Sequence, residues 1–116
     1  MNMPFIRTTT NVNVTKQAAE EIKSAYGKNI ELISGKAECY LMLSISGNVD
    51  MAYQGDMATP MAMVEVQLLG KADPAELDNF TAAASRDLNK ILGIPESRIY
   101  VNYLEYERWG VDGHNV

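Results

Sequence analysis

Strand-favouring residues open the chain, then apolar positions recur every three or four residues, and this succession happens twice. Residues 4–14, rich in Thr and Val behind Phe5 and Ile6, predict a pleated, partly buried strand. Thr15 is placed to cap a helix reaching about Tyr26, with Ala18, Ile22 and Ala25/Tyr26 on one face and Gly27 to end it. A short helix over 29–34, stopped by Gly35, leads to a strand over 39–46 that reads as buried on both faces at its start. Turn-forming residues are dense over 47–59, which predicts a loop or hairpin and the most flexible segment of the chain.

The second cycle begins with alternation over 61–69 and a stop at Gly70. Asp73 at the N-cap, Pro74 behind it and Glu76 three residues on predict a capping box. The helix that follows carries Leu77, Phe80, Ala84, Leu88 and Ile91 as one apolar stripe, and Gly93 with Pro95 ends it. Residues 98–106 (RIYVNYLEY) predict the last strand, and 107–116 a short tail.

Strand, helix, strand, then strand, helix, strand is the order of two βαβ units. With right-handed crossovers they give an α+β fold, a four-stranded mixed sheet with both helices on one face. Nothing left in 116 residues covers the other face, so association with further copies is expected. One domain spanning 1–116 accounts for the whole length.

Composition narrows the functional classes. A net charge of −5 without a Lys/Arg cluster offers nothing to a phosphate backbone or an anionic membrane, so no nucleic acid and no membrane partner is expected. The apolar runs fall well short of the about 20 residues that span a bilayer. One cysteine, Cys39, cannot form an internal disulfide and points to a reducing, cytoplasmic setting. Without a visible signal peptide, any export would use another route. No dinucleotide, P-loop or zinc-protease motif is present, neither metal nor cofactor is implied, and the single histidine, His114, falls in the tail.

Met-Pro-Phe-Ile at positions 3–6 carries the chemistry that remains. Methionine before a small residue such as proline is normally removed during synthesis. A terminal Pro4 would then be a secondary amine, and an apolar pocket beside a cation would depress its pKa into the working range of a base. The other reading is that Pro4 only begins an edge strand, where a missing N–H costs nothing.

PFIRTTTNV at the start, GKAECYLML in the middle, LLGK before the capped helix and RIYVNYLEY followed by Trp109-Gly110 resemble the macrophage migration inhibitory factor family of the tautomerase superfamily, near its D-dopachrome tautomerase branch. The resemblance implies a cofactor-independent keto–enol tautomerase, an isomerase of phenylpyruvate or dopachrome type acting on small 2-keto or enol acids. It also implies a homotrimer, a trimeric barrel of such sheets with sites at subunit interfaces. Pro4 would be the catalytic base, Lys36 the cation that holds a substrate carboxylate, and Tyr100 and Asn102 contributions from a neighbouring subunit. Phe5, Tyr40, Leu69 and Trp109 match wall positions of the substrate pocket. Met61-Ala62-Met63-Val64 stands where some members carry Cys-x-x-Cys, so thiol redox chemistry is not implied. Residues 53–60 and those after Tyr106 depart from the better-known members. A cytokine-like binding protein with vestigial tautomerase activity, or a small ferredoxin-like ligand-binding module, are the alternatives.

Overall fold

Two strands, β1 (Pro4–Thr10) and β3 (Ala62–Leu69), pair antiparallel at the centre of a four-stranded sheet. The computed structural model describes residues 3–116; Met1 and Asn2, part of the segment whose removal would free Pro4, lie outside the described residues. β2 (Met42–Ser46) flanks β1 and β4 (Ile99–Tyr106) flanks β3, each parallel to its neighbour, so the strand order is β2-β1-β3-β4. Each outer pair encloses a helix in sequence, α1 (Lys16–Asn29) in the first half and α2 (Pro74–Leu92) in the second. This is the double βαβ α+β fold that the period changes predict.

Period-2 alternation decides which side is core. Ile6 faces Val66, Thr8 faces Val64 and Thr10 faces Ala62, and all six are buried. Ile22 and Tyr26 of α1 and Phe80, Ala84 and Leu88 of α2 pack on that face with Ile30, Ile33 and Ile94 from the connections. The two buried threonines are satisfied: the Thr8 hydroxyl lies 2.6 Å from the Tyr26 hydroxyl, and that of Thr10 donates to the Met61 carbonyl at 2.7 Å. The opposite face bears rows across all four strands. One row is Met42, Phe5, Gln67 and Leu104, and the next is Ser44, Arg7, Glu65 and Asn102. Met42 and Leu104 are exposed at the ends of the first row.

Several expected boundaries move. β1 stops at Thr10, not at residue 14, because Asn11 leaves the sheet to bond the carbonyls of Met57 and Thr59 and the N–H of Met61. Thr15 caps α1 through the Ala18 N–H, but Gly27 does not end that helix. The helix passes through it, and the missing Cβ accommodates the Glu38 side chain packed against it. Residues 29–34 form a single 3₁₀ turn, Ile30–Leu32, before Gly35 turns the chain at φ 81°.

The strand expected over 39–46 begins only at Met42, since Glu38–Tyr40 is another 3₁₀ turn. Its start is not buried on both faces. β2 is an edge strand with one uncovered side, so Cys39, Tyr40 and Met42 are exposed. The 47–59 segment is a loop, yet it is tied down. Asp56 binds the Thr59 hydroxyl and the Ala58 N–H, and Arg98 donates to Pro60, Asp56 and Thr59 carbonyls. Only half of the capping box forms: Asp73 accepts from the Ala75 N–H, while Glu76 turns away to Ser34. The tail folds back as a hairpin, β5 (Gly110–Val111) with β6 (His114–Asn115), across Asp112 and Gly113, both at positive φ as a two-residue turn requires.

The Tyr26–Thr8 bond links α1 to the central strand, and burial pushes the Tyr26 phenol well above the usual tyrosine range. Tyr26→Phe leaves the Thr8 hydroxyl buried without its partner and is expected to cost about 1–3 kcal/mol in urea unfolding at neutral pH. The proton is held more tightly in the folded chain. Wild-type stability therefore falls as pH rises above the ordinary tyrosine pKa, and the slope is shallower in Tyr26→Phe.

Candidate functional site

Pro4 opens β1 opposite Leu68 and is buried there. A cavity of about 560 Å3 adjoins it, walled chiefly by Met3, Phe5, Tyr40, Met42 and Trp109, with Gln67 as a polar side chain on the sheet. The walls come from separate parts of the chain. Phe5 and Met42 are register partners on adjacent strands, Gln67 faces Phe5 from the other side, and Tyr40 stands on the 3₁₀ turn before β2. Trp109 arrives with the C-terminal hairpin, held edge-on against Tyr106 with ring centroids 6.0 Å apart, and its carbonyl accepts from the Val116 N–H.

Lys36 reaches the same end of the sheet. Its Nζ donates to the Leu69 carbonyl at 2.8 Å, one residue beyond Leu68, the register partner of Pro4. The side chain is almost wholly buried, and desolvation holds its ammonium below the usual lysine range. Among the described residues Lys36 uses one of its three ammonium donors, on a neutral carbonyl, which is an arrangement that can also take an anion. Lys28, the lysine of the other Gly-Lys pair, lies exposed on α1.

Four of the expected residues, Pro4, Phe5, Tyr40 and Trp109, meet at one cavity. Leu69 enters through its carbonyl, which fixes Lys36. Tyr100 and Asn102 stand elsewhere in the protomer. They are exposed on β4, opposite Met63 and Glu65, two strands away from β1 and toward the other end of β3 from Leu68. Tyr100 packs edge-on against Tyr53 at 5.2 Å, and Arg98 lies over the far ring of that pair at 5.1 Å from the Tyr53 centroid. The neighbouring Tyr53 phenol raises the Tyr100 pKa.

Sequence reasoning passed over Gln67, Met42 and Cys39 as cavity residues. Gln67 had a readable signal, a polar residue alternating in phase with Phe5 across a strand pair. Among the described residues no helix is long and apolar enough to cross a membrane.

A sequence model of the family described as Macrophage migration inhibitory factor (MIF) matches residues 3–115. The crystal structure of Leishmania major MIF2 superposes with a TM-score of 0.91 at 32% identity, covering 98% of this chain and 97% of that one. A macrophage migration inhibitory factor homologue from Prochlorococcus marinus superposes with a TM-score of 0.84 at 27% identity over 96% of this chain and 97% of that one. Macrophage migration inhibitory factor of Xenopus laevis is 27% identical over 103 residues, which is 89% of this chain and 88% of that protein. With the family pattern running from Met3 to Asn115 and the same sheet and helices in its relatives, this chain belongs to the macrophage migration inhibitory factor family.

Proposed function

We propose that the protein is a cofactor-independent keto–enol tautomerase in which Pro4, freed as the mature amino terminus, is the general base. The observation that carries this reading is the placement of a buried strand-initial proline at an apolar, aromatic-walled cavity, with a desolvated lysine fixed beside its register partner. Removal of Met3 would do two things at once. It would turn the Pro4 nitrogen from an amide into a basic secondary amine, and it would vacate the part of the cavity that Met3 lines.

In this mechanism a 2-keto acid of phenylpyruvate type enters with its carboxylate on Lys36 and its ring among Phe5, Tyr40 and Trp109. The Pro4 nitrogen takes a proton from the carbon next to the carbonyl, and the C–H electron pair moves to form the C=C bond as the carbonyl pair passes to oxygen. The protonated Pro4 or solvent then protonates that oxygen, giving the enol with no net gain or loss of electrons. Asn102 would hold the carbonyl oxygen as charge develops on it, and Tyr100 would orient the substrate. Both lie away from the cavity of their own chain, so the reading requires a neighbouring copy to supply them, in a homotrimer built on the uncovered sheet face. The whole chain is read as one domain of that assembly.

A second reading follows from Met3. If it stays in place, the Pro4 nitrogen is an amide, and the cavity is a ligand-binding site of a cytokine-like protein. Mass spectrometry of the mature amino terminus separates the two.

For protein that begins at Pro4, Pro4→Gly is expected to slow phenylpyruvate enolisation by about 100-fold or more; equal rates would sink the base assignment. The carboxylate is bound by the charged form of Lys36, whose pKa is lowered. The value of kcat/KM should therefore fall as pH rises through a point below the ordinary lysine range, and Lys36→Ala should remove that limb of the profile. Co-refolding Pro4→Gly chains with Asn102→Ala chains should restore activity, because mixed trimers contain intact sites. No recovery, or a monomer in sedimentation, argues for a site within one chain.

A further inference from the structure

Glu76 stands at the third position of α2, where a capping box would direct its carboxylate to the N-cap backbone. Both oxygens instead cross to Ser34: Oε1 accepts from the Ser34 N–H at 3.0 Å and Oε2 from its hydroxyl at 2.5 Å. These bonds keep the carboxyl below the usual glutamate range. Ser34 and Gly35 are the central residues of a four-residue turn closed by the Lys36 N–H donating to the Ile33 carbonyl at 3.0 Å. Gly35 occupies its third position at φ 81°, which only glycine adopts without strain. Lys36 leaves this turn and runs to the Leu69 carbonyl.

Both ends of Lys36 are thus referred to the start of α2. The turn that launches it is gripped by Glu76, and the carbonyl that receives it closes the strand leading into Gly70–Asp73. That connection is itself held, by the Gly70 N–H on the Tyr106 carbonyl at 2.8 Å and the Ala72 N–H on Glu105 at 2.7 Å. Without the grip on Ser34, a turn at the surface has freedom that a four-carbon side chain would amplify at its ammonium.

We propose that Glu76 is a positioning residue for Lys36: by holding Ser34 it fixes the turn from which the ammonium reaches the Pro4 end of the sheet, and so sets the affinity of the site for a substrate carboxylate. The inference rests on the reading of Lys36 as carboxylate anchor.

The test uses protein beginning at Pro4 and two enolisable compounds, phenylpyruvate and phenylacetaldehyde, which lacks the carboxylate. Glu76→Ala is expected to raise KM for phenylpyruvate roughly tenfold, the size of one lost charge-assisted hydrogen bond, with kcat nearly unchanged. Turnover of phenylacetaldehyde should not change. Glu76→Gln should restore most of the affinity, since its amide can accept from the Ser34 N–H and donate to the hydroxyl. Equal losses on both compounds would mean general damage and overturn the proposal, as would an unchanged KM. Should Glu76→Ala fail to fold, Ser34→Ala removes the hydroxyl half of the grip and carries the same expectation at smaller size. Lys36→Ala marks the boundary between the two ideas. If it raises KM and Glu76→Ala does not, only the positioning role falls; if Lys36→Ala leaves KM unchanged, the anchor falls and the positioning role with it.

Discussion

At the centre of the sheet Ile6 faces Val66 and Thr8 faces Val64 across an antiparallel pair, and the rest of the molecule is arranged around that register. Shifting either strand by one residue would send its buried side chains to the outer face and bring Arg7 or Glu65 under the helices. The same register sets Pro4 against Leu68 at one end of the pair and Thr10 against Ala62 at the other. Through it the proline is buried at a fixed end of the sheet, beside the carbonyl that fixes Lys36. The helices enforce the register because Ile22, Tyr26, Phe80 and Leu88 pack on the face that Ile6, Val64, Val66 and Leu68 present.

Thr8 shows how the fold tolerates polarity in that core. Its hydroxyl is fully buried yet bonded to Tyr26, and β4 is fastened in a similar way, with Tyr103 bonded to Thr81 and to the Leu77 carbonyl of α2. Each of these two hydroxyl pairs locks one helix to one strand at a defined height, which apolar contacts alone do not specify. Lys36 is the exception in kind. Among the described residues its ammonium donates to one neutral carbonyl, so its burial is offset by geometry and not by an opposite charge.

The βαβ pattern was readable because each element carries its own period and its own terminators: Thr15 before α1, Asp73 and Pro74 before α2, Gly93 after it in the left-handed region. Three of the misread features have one cause, a side chain bonding or packing against residues remote in sequence. Asn11 ends β1 by bonding residues about 50 positions away, Glu38 makes Gly27 a packing glycine, and Ser34 takes the carboxylate that local capping would have used. The loop over 47–59 resembled a flexible one by composition, since nothing local announces that Arg98 will collect its carbonyls. The C-terminal hairpin did have a local signal, Asp112-Gly113, passed over because the flanking segments are only two residues each.

By itself the sequence determined the two βαβ units, their order, the buried stripe of α2 and the family to which the whole belongs, because periodicity, capping and motif spacing are local properties of the chain. It also named Pro4, Phe5, Tyr40 and Trp109, which lie up to 105 positions apart and gather at one cavity. Only the tertiary structure decided that Lys36 is held by Leu69, that Glu76 grips the turn before it, and that Tyr100 and Asn102 stand away from the Pro4 cavity of their own chain. Those facts depend on distances between residues remote in sequence, which strand register and helix packing set together and no local pattern encodes.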